Sequence, residues 1–143
     1  MDERFNPRPV AGWYMIAAVA ALLLMAVAVA IYATHHVFVD VARLPLDQQQ
    51  ALRTEPQWVR IAAGAAVLTG FAGALLLVLR RRAAEPLLML SLIAMMVWLA
   101  GLFLTPLRDA MSTNDLAVAI VAGLVDWTIY MFARHSRQRG WLR

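Results

Sequence analysis

GALLLVLRRRAAEPLLMLSL, residues 73–92, places three consecutive arginines between two apolar stretches. The apolar character continues back to Ile61 and forward to Leu107. At about 1.5 Å per helical residue, the runs 61–79 and 86–107 each suffice to cross a hydrocarbon core of about 30 Å. The RRRAAEP turn between them is too short to form a domain. It therefore joins two membrane spans as an antiparallel hairpin.

Two more apolar runs flank this hairpin, 10–33 before it and 116–133 after it. The first is too long for a signal-peptide h-region and reads as an uncleaved span. Together the four runs predict an all-α integral membrane protein, an antiparallel four-transmembrane-helix bundle forming a single membrane domain over 1–143. Composition points the same way. The 143 residues are 62% hydrophobic and 15% charged, with a mean hydropathy of +0.66, where a soluble domain carries about 25% charged residues.

The segment 34–57 is the largest piece outside the spans. Within it, Pro45 suits the first turn of a helix and Asp47 its positive end. Leu44, Leu52 and Ala51 supply an apolar stripe, and Pro56 closes the segment. The expectation is a short amphipathic helix lying on the periplasmic face of the membrane.

All basic residues are arginine, which reads as a GC-rich bacterial composition. Arg4, Arg8, the Arg80, Arg81 and Arg82 cluster, Arg134, Arg137, Arg139 and Arg143 fall on one side of the four spans. On the other side, Arg43, Arg53, Arg60 and Arg108 are diluted by Asp40, Asp47, Glu55, Asp109 and Asp115. The positive-inside rule then places both termini and the RRR turn in the cytoplasm of a bacterial inner membrane. The net charge of +4 flanks apolar runs, so anionic headgroups explain it better than nucleic acid does.

Several chemistries are excluded. Without cysteine there is no disulfide exchange, thiolate metal site or iron–sulfur cluster. His35 and His36 lie at one end of the bundle and His135 at the other, so they cannot be axial haem partners within one monomer. Small drug exporters of similar size use a carboxylate in the first span, and this span has none. His36 and Asp40 are spaced i, i+4 and make a weak candidate polar or metal site, two ligands short of a usual coordination set. No catalytic set and no cofactor are expected.

Two features remain. Ala63, Ala66, Gly70 and Gly73 share one face of the second span and allow close helix approach, either within the bundle or against a partner. Asp126, in VAGLVDWTIYMF (121–132), sits roughly 10 Å inside the end of the fourth span. An ionised carboxylate there costs about 2.5–3.5 kcal/mol on insertion scales. It either meets an arginine of the Arg80–Arg82 cluster, holds its proton and bonds Thr69, Ser91 or Tyr130, or, lacking an internal partner, pairs with a polar group on another protein.

The pattern LxxxQxxxxxxxPxWV (44–59), the stretch 73–92 and the tail YMFARHSRQRGWLR (130–143) resemble a family of small four-span proteobacterial inner-membrane proteins, some labelled "sugar transporter". The match covers 44–97 and, more weakly, 133–143. The resemblance implies four spans and an ordered loop, and no residue roles follow from it. The expected function is non-enzymatic: a protein that assembles with itself or serves as an accessory subunit of a larger membrane complex. The alternative is a small-solute, sugar-like transporter acting as a dimer, with Asp126 as its proton or cation site.

Overall fold

The computed structural model describes residues 9–38 and 40–143. Arg4 and Arg8 lie outside them. The described chain is helical: α1 (Tyr14–His36), a 3-10 turn (Val41–Arg43), α2 (Leu46–Thr54), α3 (Gln57–Val78), α4 (Ala84–Leu104), α5 (Leu107–Ala110) and α6 (Thr113–Gln138). Among the described residues, α1, α3, α4 and α6 are long and apolar enough to cross a membrane. The protein is a multi-pass, four-helix membrane bundle.

Proline and capping residues set the helix limits. Pro86 occupies the first turn of α4, where its missing N–H has no intrahelical acceptor to lose. Pro106 forces Thr105 into an extended conformation (φ −112°, ψ 161°), so α4 stops at Leu104 and not at 107. The short α5 follows. Ser112 then opens α6 with a capping box: its Oγ accepts from the Asp115 N–H, and the Asp115 carboxylate accepts from the Ser112 N–H. Beyond its apolar run, α6 continues to Gln138, presenting His135 and Arg137 to the helix's negative end. The amphipathic helix expected in 34–57 is α2, which packs on α5.

The spans form a row in which α1 packs on α3, α3 on α4, and α4 on α6. Small residues set the closeness of α3. The oxygen of Tyr32 occupies the space beside Gly64, Met25 and Ser91 that beside Gly70, and Leu88 that beside Gly73. Ala63, Ala66, Gly70 and Gly73 are therefore buried inside this chain, and the partner-facing version of that stripe is not what the fold uses.

The arginine-rich end is closed by a clasp. Both α3 and α6 finish in Schellman motifs: Arg80 N–H donates to Leu77 O and Arg81 N–H to Leu76 O, while Gly140 N–H donates to Arg137 O and Trp141 N–H to Ser136 O. Arg80 and Gly140 take the left-handed positions, at φ 56° and 72°. The two helix ends are then tied together. Arg143 N–H donates to Arg80 O at 2.7 Å, Arg82 N–H to Arg143 O at 2.9 Å, and Arg80 Nε to Trp141 O at 3.2 Å. This turns Trp141 and Leu142 into a core with Tyr14, Leu77, Ala84 and Ala133. The Tyr14 hydroxyl donates to Leu77 O at 2.7 Å and holds α1 to α3 there. A second apolar cluster, built on Val59, Leu102, Leu107 and Ala119, closes the opposite end.

At that opposite end, α1 meets the α2–α3 junction through its last turn. Tyr32 donates to Arg60 O at 3.3 Å, and its ring lies 4.6 Å from that of His36. His36 Nδ1 stands 3.9 Å from the partly buried Glu55 carboxylate. Burial pushes the Glu55 carboxyl above its ordinary value, with Arg60 opposing. Burial thus favours the protonated form in the folded state. The resulting stability is complete below the ordinary value of 4.5 and lost as pH rises through the raised one. Hydrogen exchange at the α2–α3 junction, taken relative to its intrinsic rate at each pH, should therefore quicken over that window in the native protein and stay level in Glu55→Gln. An equal rise in both proteins would show that His36 or another group is responsible.

Candidate functional site

The site begins with a serine in an otherwise apolar helix. Ser91 projects from α4 into α3, where Gly70 leaves room for it: a Cβ on Gly70 would stand 2.8 Å from Ser91 Oγ. That space lets the hydroxyl reach Ala66 O at 2.8 Å. The same Oγ lies 3.1 and 3.2 Å from the two carboxyl oxygens of Asp126 on α6. Three spans thus converge on one polar knot, with Asp126 only 1% exposed.

Ser91 has one hydroxyl proton and two claimants for it. The shorter contact directs that proton to Ala66 O. The two Asp126 carboxyl oxygens accept from the same hydroxyl at the longer distances. Of the partners considered from sequence, Ser91 is the one the structure brings to Asp126. Thr69 instead donates to Ala65 O of its own helix. The arginine cluster does not reach inward either, since Arg80 is held by Trp141 in the clasp and Arg81 and Arg82 are exposed.

The knot lies beneath a crevice between the two outer helices. At the clasp end, α1 and α6 meet through aromatic rings: Trp13 and Phe132 at 5.8 Å, Tyr14 and Phe132 at 5.4 Å. Further along they flank an open groove of about 220 Å³, with Leu24, Ala28 and Ile31 on one wall and Val118, Val121 and Val125 on the other. Ser91 and Asp126 also line it. A second, shallower groove of about 250 Å³ shares Leu24, Val121 and Val125 and extends the seam to Thr128 and Ile129. From residue 118 to 129 the seam runs about 16 Å along α6.

The other sequence candidates separate. His36 and Asp40 do not pair, because α1 ends at His36 and i, i+4 spacing brings side chains together only within a helix. His36 faces Glu55, whereas Asp40 accepts from the Ala42 N–H and pairs with Arg43 Nε at 3.2 Å. Among the described residues, no group of three His, Cys, Asp or Glu side chains could hold a metal ion.

Sequence reasoning missed Trp141 and Leu142 as core residues and Glu55 as a partly buried one. Two large apolar side chains in an arginine-rich tail were the available signal for the first. Nothing marked the second. No family model, curated protein or solved structure matches the chain.

Proposed function

We propose that this protein is a non-enzymatic subunit of a membrane assembly, joining a copy of itself or another membrane protein through the open side between α1 and α6. Two grounds for assembly that the sequence suggested fall away: the small-residue stripe is used internally, and Asp126 has Ser91. The observation that carries the reading is the seam itself. The outer helices touch at the clasp end and stand apart beyond it, leaving a polar knot at the base of an apolar cleft. Within a bilayer, helix association draws on packing and on interhelical polar contacts. A helix seated on the rim would gain the first and cover the second. The arginine-rich clasp end would face the cytoplasm.

The carrier reading is second. That Asp126 lines the crevice favours it, yet the surrounding wall is aliphatic and would strand the hydroxyls of a sugar without partners. The spans are also unbroken where proton-coupled carriers interrupt theirs.

The chain lacks cysteine, so single substitutions can carry a benzophenone maleimide. Attached in native membranes to Val121→Cys (57% exposed) or Leu24→Cys (52% exposed), it should capture a second polypeptide on illumination. At Leu68→Cys on α3 (62% exposed) it should capture only lipid. Equal capture at all three sites, or none together with a monomer mass in mild detergent, would remove the proposal.

A further inference from the structure

We propose that the clasp joining residues 80–82 to 139–143 binds a phosphate group, supplied by the headgroup of an anionic lipid. Backbone pairing brings Arg80, Arg81, Arg82 and Arg143 together, with Arg139 one residue before the turn at Gly140. Like charges held this closely repel one another unless an anion lies among them. Among the described residues the nearby acid, Glu85, is engaged by Arg137. The clasp also contains the buried indole Nε1 of Trp141, which has no acceptor among the described residues. The clasp is therefore rich in donors and poor in acceptors.

Arg80 adds an independent observation. It holds the left-handed position of a Schellman motif, at φ 56°, which glycine fills in α6 and in helices generally. A side chain there costs about 1–2 kcal/mol, and such strain gathers at sites where the residue serves a purpose. Its Nε bond to Trp141 O ties the Arg80 guanidinium to the tail of the clasp. Planar guanidinium groups match phosphate oxygens in bidentate geometry. The place suits a headgroup: the clasp caps two membrane spans, and half-exposed Trp13, suited to the interface, packs on Trp141.

The test uses the full chain in a neutral detergent, titrated with phosphatidylglycerol, phosphatidylcholine or inorganic phosphate. Binding is read from retained adducts in native mass spectrometry and from the unfolding temperature. Phosphatidylglycerol should be retained and should stabilise the protein, and phosphatidylcholine should do neither. Arg82→Gln with Arg143→Gln should weaken retention by at least about tenfold without unfolding the chain, because the clasp bonds of both residues are backbone bonds. Arg108→Gln, at the opposite end, should change nothing. Arg80→Gly should weaken retention while relieving the backbone. Retention of inorganic phosphate as tightly as the lipid would assign the site to a free anion and overturn the headgroup reading. No selectivity over phosphatidylcholine, or equal loss in Arg108→Gln, would overturn the site altogether.

Discussion

Trp141→Ala is expected to destabilise the protein by about 3–5 kcal/mol, the range for truncating a large buried aromatic. Trp141 is 6% exposed. Its ring meets Tyr14 and Trp13 edge-on at 5.8 Å and His135 at the same distance. Each aromatic pair contributes about 0.5–1.5 kcal/mol beyond area burial. The truncation would empty the centre of the clasp-end core, where α1, α3 and α6 meet. The matched control is Trp127→Ala on α6, where the indole is 52% exposed on the outer surface. Its loss should stay near the ±0.5 kcal/mol of ordinary surface changes. Trp141→Phe should retain most of the stability, because the indole N–H that it deletes makes no bond in the fold. Unfolding of the three variants in one detergent decides the matter. Equal losses for Trp141→Ala and Trp127→Ala would mean that the tail does not form the core described.

The parts of this structure that follow from long runs of one chemical character were legible in the sequence. Four spans, the hairpin at Arg80–Arg82 and the amphipathic α2 all rest on hydropathy and turn chemistry, and all are present. Boundaries moved where a local rule outweighed the run: Pro106 ended α4 early, and the polar residues up to Gln138 lengthened α6. What stayed hidden depends on three-dimensional pairing. The i, i+4 spacing of His36 and Asp40 meant little once α1 ended at His36. Trp141 drew no expectation, because nothing local shows that residues 141–143 fold back on Arg80 and Arg82. Asp126 was visible as an anomaly, and Ser91 was the polar residue available in the third span. Their meeting needed Gly70, whose contribution is the absence of a side chain.

Gly73 shows how much of the bundle hangs on such an absence. In the interior of a helix, replacing glycine with alanine ordinarily stabilises by about 1 kcal/mol. At Gly73 the sign should reverse. A Cβ there would lie 2.6 Å from Leu88 Cγ and 3.2 Å from the Leu88 backbone nitrogen. The side chain alone cannot yield that space, so α4 itself must shift. Overpacking of this kind costs about 1–3 kcal/mol, which exceeds the propensity gain. Gly73→Leu should reach or pass the top of that range, because it separates α3 from α4 next to the turn that the clasp secures. Gly123 provides the comparison on α6. Its Cβ would meet only Leu99 Cδ1 at 2.9 Å, the far end of a flexible side chain, with the next atom at 3.9 Å. Gly123→Ala should therefore be neutral or stabilising. The opposed signs of two identical substitutions, measured by unfolding in the same detergent, test whether α3 and α4 approach as closely as described. If both substitutions stabilise, the approach is looser than the fold requires, and the reach of Ser91 to Ala66 and Asp126 loses its foundation with it.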